Sequence, residues 1–147
     1  METTFAIIKP NGVSGALIGE ILGRYEKARL AVAAMRLRQV TRSEVEGFYA
    51  EHKERGFFGE LVAFMTSGPV VLLALRGEKA VEAVRQMNGA TNPKNAQPGT
   101  IRFDFAPSTG ENIVHASDSV ESARREVAYW FKPEELVEYS IRSRVLS

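Results

Sequence analysis

The chain has 147 residues, 44% hydrophobic and 25% charged, which bounds it to one globular domain burying roughly 70% of its unfolded surface. The absence of cysteine excludes disulfides, thiolate metal sites and a cysteine nucleophile, and two histidines are too few for a multi-histidine metal cage. Nineteen basic against eighteen acidic residues leave a net charge of +1, so no global field marks a dedicated nucleic-acid binder or a membrane binder.

Met1-Glu2 leads directly into strand-like sequence, with no basic segment followed by an apolar one, and no apolar run is long enough to span a bilayer. The expectation is a cytoplasmic protein. Thr3 to Ile8 reads as a strand, ended by Lys9-Pro10-Asn11-Gly12. Gly12-Val13-Ser14-Gly15 lacks the Gly-Lys-Ser/Thr of a P-loop and reads as a strand-to-helix turn. Leu17, Ile18, Ile21, Leu22 and Tyr25 mark one face of an amphipathic helix. Ala31 to Val40 is a second strand, with Met35 and Leu37 on one face and Arg36 and Arg38 on the other. Ser43 with Glu46 predicts a capping box, and Val45, Phe48, Tyr49 and His52 continue that helix. A shorter helix runs from Gly59 to about Met65.

Val70 to Leu75 is a continuous apolar run, as a central strand buried on both faces would be. Ala80, Val81 and Val84 give a helix over Glu78 to Met87. Asn88 to Glu111, with Pro93, Pro98 and Pro107, reads mostly as loop, and loops of that length in compact domains are usually functional. A last strand and a last long helix follow, the helix ending at Phe131-Lys132-Pro133. Two β-α-β halves suggest one four-stranded sheet with helices packed on one face. The expected organisation is a single domain over residues 1–147, with 132–147 as a C-terminal tail.

Asn112-Ile113-Val114-His115-Ala116-Ser117-Asp118-Ser119 is the stretch richest in chemistry. Two β-branched residues lead into His115 as a strand would. Ser-Asp-Ser then opens a helix whose apolar positions Val120, Ala123, Val127 and Trp130 fall at helical spacing. His115 therefore belongs at a strand end, and a neutral imidazole there is both nucleophile and base. The competing assignment is a histidine that satisfies a turn or packs in the core.

This octet resembles the active-site signature of nucleoside diphosphate kinases. Phe5-Ala6-Ile7-Ile8-Lys9-Pro10 is similar to that family's first strand with its lysine, and Tyr49 through Phe58 to its nucleotide-gripping helical hairpin. Thr66-Ser67-Gly68-Pro69-Val70-Val71, Gly89-Ala90-Thr91-Asn92-Pro93 and Pro98-Gly99-Thr100-Ile101-Arg102 also match in order. The resemblance implies an α/β (α+β) fold: a ferredoxin-like four-stranded antiparallel sheet covered by helices. It implies that His115 takes the γ-phosphate of a nucleoside triphosphate as phosphohistidine and passes it to a second nucleoside diphosphate, in ping-pong order. It places Arg85, Thr91 and Arg102 on the phosphates, Lys9 and Asn112 on ribose hydroxyls and phosphate oxygens, and Phe57 on the base. Stacking is worth ~1–3 kcal/mol per base and suits any base. Tyr49, Ser117 and Glu126 are supporting residues, with the Tyr49 ring packed and its hydroxyl reaching toward His115. Phe58 and Leu61 read as core, and His52 as a surface or helix-packing residue without a role.

The resemblance also implies Mg2+ bridging the β- and γ-phosphates. The chain offers it no carboxylate cage, so the ion should arrive with the nucleotide, with Glu51 a candidate ligand through water. Four positions depart from the family's pattern: Asn11 for aspartate, Gly56 for proline, Phe103 for glycine or alanine, and Thr109 for an apolar residue under the base. Asn11 is expected to loosen an ion pair with Arg102. The family's Pro-Gly-Thr loop turn and the long tail imply a homo-oligomer, with a hexamer favoured over a tetramer. The main alternative is a nucleotide- or nucleic-acid-binding regulatory protein of the same fold; a small metal- or amino-acid-sensing regulator would not need phosphate-side arginines.

Overall fold

A computed structural model describes residues 1–142; the end of the tail, 143–147, lies outside the described residues. Strand β1 (Glu2–Ile8) is followed by a short helix α1 (Pro10–Ser14), where a turn was expected. Pro10 sits in the first turn of α1, where its fixed φ favours a helix start and its missing N–H costs nothing. Helix α2 (Ile18–Lys27), strand β2 (Ala31–Arg38) and helix α3 (Arg42–Phe48) come next. The capping box of α3 is built by Thr41 and Glu44, not by Ser43 and Glu46. A 3-10 turn at Ala50–His52 leads to α4 (Phe58–Met65), β3 (Val70–Gly77) and α5 (Ala80–Asn88).

The stretch expected to be loop holds a 3-10 turn at Pro93–Asn95 and a helix α6 (Ile101–Phe105). Thr100 caps α6 by accepting a hydrogen bond from the Phe103 amide. Strand β4 (Val114–Ala116) and helix α7 (Val120–Trp130) complete the core, and Ser119 caps α7 from the Ser122 amide.

The sheet is antiparallel in the order β2-β3-β1-β4. Alternation along the two central strands decides how it is covered. Phe5, Ile7, Leu72 and Ala74 are buried on one face with Val45, Val62, Met65 and Trp130 of α3, α4 and α7. Ala6, Ile8, Leu73 and Leu75 are buried on the other with Ile21, Val84 and Ile101 of α2, α5 and α6. Helices thus cover both faces, which corrects the expectation of one covered face. At the edge strand β2, Met35 and Leu37 are exposed, while Arg36 and Arg38 pair with Glu135 and Glu44.

After a 3-10 turn at Pro133–Glu135, the tail lies along β2 of its own chain. The Val137 amide donates to Ala33 O at 2.8 Å, and the Val32 amide to the Tyr139 hydroxyl at 2.7 Å. The short β4, paired to β1 with His115 opposite Ile7, sets the nucleophile candidate in a fixed register beside the first strand.

Candidate active site

Backbone geometry around His115 is specified by an unusual turn. Ile113 has φ +74°, rare for a β-branched residue, and the Val114 amide bonds Asn112 O at 2.8 Å across it. Ile113 is therefore in a γ-turn and not in the strand that its side chain suggests. The turn aims Ile113 O at the Lys9 amide, at 2.7 Å, and so locks the end of β1 to the start of β4. Gly12 in α1 permits this approach, because a Cβ there would meet Ile8 Cγ2 at 2.7 Å and Ile113 Cγ2 at 3.2 Å.

His115 Nε2 lies 2.6 Å from Glu126 Oε1, which also accepts from the Ser117 hydroxyl at 2.9 Å. Glu126 comes from α7 and is 8% exposed, so it faces the imidazole and not the solvent-side Arg124 and Arg125. A carboxylate oxygen offers only lone pairs, which assigns the proton to Nε2 and leaves Nδ1 of the neutral ring with its lone pair. Burial lowers the His115 pKa below 6.5, helped by Lys9 and Arg102, while the Glu126 contact opposes the shift. The imidazole is thus held neutral and singly oriented.

Tyr49 packs edge-on to this ring, with centroids 6.0 Å apart, and Phe48 packs at 5.4 Å. The Tyr49 hydroxyl makes no hydrogen bond among the described residues, so it does not reach the imidazole as expected. Burial raises its pKa, and the nearby Glu126 charge raises it further.

Lys9 is 7% exposed, and its ammonium donates to Asn112 Oδ1 at 2.7 Å. Burial, then the Arg102 charge, lower its pKa from 10.5 to about 7. Asn112 reaches in turn to Thr91 O at 3.4 Å. Arg102 is 8% exposed; Nη1 donates to Gly89 O and Nη2 to Val114 O, each at 2.8 Å, while Nε has no partner among the described residues. Burial lowers its pKa to about 10. Two of the five guanidinium N–H groups are thus committed to backbone that frames His115.

Beside Lys9 opens a cavity of about 560 Å3 lined by Phe57, Glu60, Leu61, Phe64, Thr91, Thr109, Gly110 and Glu111. Phe57, 47% exposed, stands at its rim, with His52 at 6.1 Å between centroids and the Arg55 guanidinium 5.9 Å from the ring centroid. Larger clefts of about 960 and 940 Å3 occur elsewhere, so size alone does not mark the site. Arg85 is exposed in the second of these, with Gly89, Thr100 and Asp118, and is not gathered into the Lys9–Phe57 cavity.

Sequence reasoning missed Phe64, Glu60 and Glu111 as cavity walls, and Leu61 lines the cavity while also packing on the core as expected. Helical spacing on α4 brings Phe57, Glu60, Leu61 and Phe64 to one side, a signal available in the sequence. Asn11 donates from Nδ2 to Glu111 O at 2.9 Å, so it ties α1 to the cavity rim. Asn11 makes no bond to Arg102, which is held by the Gly89 and Val114 carbonyls.

A carboxylate-oriented histidine beside buried cations, at the end of a strand in an antiparallel β2-β3-β1-β4 sheet, suits anionic substrates. A sequence model of the nucleoside diphosphate kinase family matches residues 2–136. The chain also resembles two solved structures, each with a TM-score of 0.91. A nucleoside diphosphate kinase family protein from Babesia bovis is 42% identical, over 96% of this chain and 95% of that one. A nucleoside diphosphate kinase from Encephalitozoon cuniculi is 38% identical, over 95% of each chain. The chain belongs to the nucleoside diphosphate kinase family and is a phosphotransferase.

Proposed function

We propose that the protein transfers the γ-phosphoryl group of a nucleoside triphosphate to a nucleoside diphosphate through phosphorylated His115. The carrying observation is the 2.6 Å contact of His115 Nε2 with Glu126, which leaves Nδ1 as the free lone pair. In the first half-reaction Nδ1 forms a bond to the γ-phosphorus. The bond from phosphorus to the β–γ bridging oxygen breaks, and its electron pair stays on the departing diphosphate. Glu126 stabilises the cationic ring that forms. Lys9, Arg102, Thr91 and Asn112 hold phosphate and ribose oxygens, and Arg85, whose charge reaches Arg102, adds a further phosphate cation. A second diphosphate then reverses the step with its own β-phosphate oxygen as nucleophile. Positioning and charge neutralisation supply most of the acceleration such a transfer needs.

Phe57 stacks on the base and Leu61 and Phe64 wall its side, which favours broad base acceptance. A divalent cation enters as part of the substrate. Among the described residues no three acidic or histidine side chains converge on one point, and Glu51 lies 3.8 Å from both Arg125 and His52. The described residues therefore do not make a metal cage.

The chain acts as a homo-oligomer, with a hexamer favoured over a tetramer, and works in the cytoplasm on free nucleotides. The Pro98-Gly99-Thr100 turn supports the assembly; the tail lends no support, because through Ile141 it packs on its own chain. Among the described residues no helix is long and apolar enough to cross a membrane.

Incubation with γ-labelled ATP tests the reading. The label should be acid-labile, base-stable, discharged by any added diphosphate, and absent from His115→Ala. Label that persists in that variant, or intersecting double-reciprocal lines, overturns the phosphohistidine pathway.

A further inference from the structure

A buried polar pair lies near enough to Arg102 to feel its charge. Tyr25 of α2 and Asn88, the last residue of α5, are each 0% exposed within an apolar cluster that includes Ile21, Val84 and Ile101. The Tyr25 hydroxyl donates to Asn88 Oδ1 at 2.6 Å, while Asn88 Nδ2 has no partner among the described residues. Two apolar side chains of the same shape would fill this space without leaving a buried donor unsatisfied. The pair thus carries a cost in a place where apolar packing would serve.

Its geometry points to one neighbour. Asn88 is followed by Gly89, at φ +86°, whose carbonyl accepts from Arg102 Nη1 at 2.8 Å. On its other side Gly89 is pressed against Thr100, where a Cβ would meet Oγ1 at 2.5 Å. The direction of the Gly89 carbonyl is therefore fixed by Thr100 on one side and by the anchored end of α5 on the other. The second arm of Arg102 holds Val114 O at 2.8 Å, one residue before His115. Arg102 also acts electrostatically on the Tyr25 phenol, whose pKa burial raises.

We propose that Tyr25 and Asn88 are positioning residues for phosphoryl transfer. Their buried bond clamps the end of α5, so that the Gly89 carbonyl aims the Arg102 guanidinium at the transferred phosphate. The inference rests on the reading of Arg102 as a phosphate cation. A rigid aromatic wedge suits the task, because a sub-ångström drift at the carbonyl is carried through a short fork to the phosphate.

A double-mutant cycle on the full-length protein tests it. Tyr25→Phe should lower kcat/KM roughly tenfold, and in an Arg102→Ala background should change it less than about twofold, because coupled residues fail to add. Tyr25→Phe/Asn88→Leu removes both polar groups, so its thermal midpoint should recover toward that of the unaltered protein while kcat/KM stays low. Equal effects of Tyr25→Phe in both backgrounds, or full kcat/KM in the Tyr25→Phe/Asn88→Leu variant, overturn the proposal and make the pair a packing feature. If Arg102→Ala alone keeps full kcat/KM, the phosphate role of Arg102 falls and the proposal with it. That result is read separately from the others.

Discussion

Lys9 sits 7% exposed against Asn112, with its pKa brought down from 10.5 to about 7 by burial and by Arg102. With that pKa the Lys9 side chain of the free protein should be largely the neutral amine at pH 8, whereas a bound polyphosphate favours the ammonium. Nucleotide binding at pH 8 should therefore take up a proton, and affinity should fall as pH rises above about 7. Calorimetry in buffers of different ionisation enthalpy measures that proton, and a buffer-independent heat would reject the assignment. The same shift sets a stability window. An unfolded chain holds this proton up to about 10.5, so between about 7 and 10.5 it binds more protons than the folded one. The Lys9 contribution to stability thus rises with pH through that window. Glu126→Gln keeps an acceptor for Nε2–H but removes the charge, so phosphoenzyme formation should slow roughly ten- to hundredfold with little change in nucleotide affinity. An unchanged single-turnover rate would reduce Glu126 to a packing residue. The nearness of Lys9, Asn112, Ser117 and Glu126 to His115 was legible only through the resemblance of their segments to one family, and His115 itself through its place at a strand end. The Ile113 turn was not, since its φ of +74° is imposed by tertiary contacts against the preference of a β-branched side chain.

At the scale of elements, the informative disagreements lie where two readings of one segment compete. Thr41 and Ser43 are both followed three residues later by glutamate, and sequence alone does not choose between them. The fold chooses Thr41, because Glu44 also bridges to Arg38 of β2 at 2.8 and 3.0 Å, which fixes where α3 begins. Thr41→Ala should cost about 1 kcal/mol. Ser43→Ala should cost less than about 0.5 kcal/mol, as thermal unfolding of the two variants would register. Equal losses would mean the helix starts two residues later. The cover on both faces of the sheet was already implied by the unbroken apolar run Val70 to Leu75, which a sheet wet on one side would not carry. Helix α6 was hidden for a different reason. Five residues give too short a window for periodicity, and Ile101 is buried by contacts with distant elements.

The whole molecule is bounded at one edge by β2, whose outward Met35 and Leu37 are 56% and 61% exposed. An open edge with apolar side chains invites uncontrolled pairing unless it is covered. Here the tail covers part of it. Glu135 pairs with Arg36, Val137 bonds Ala33 O, Tyr139 accepts from the Val32 amide, and Arg29 Nη2 donates to Ile141 O at 3.1 Å. These contacts lie within one chain, so the tail should govern the stability of the protomer and not the number of copies. Tyr139→Phe removes the acceptor of the Val32 amide, worth roughly 0.5–1.5 kcal/mol. Its thermal midpoint should fall by about 2–4 °C for each kcal/mol lost. Light scattering behind a sizing column should meanwhile give about six protomer masses for both the unaltered protein and the variant. Four or two masses for the unaltered protein would reject the hexamer. Six masses that collapse on Tyr139→Phe would instead show that the tail reaches across to a neighbouring copy in the assembled particle.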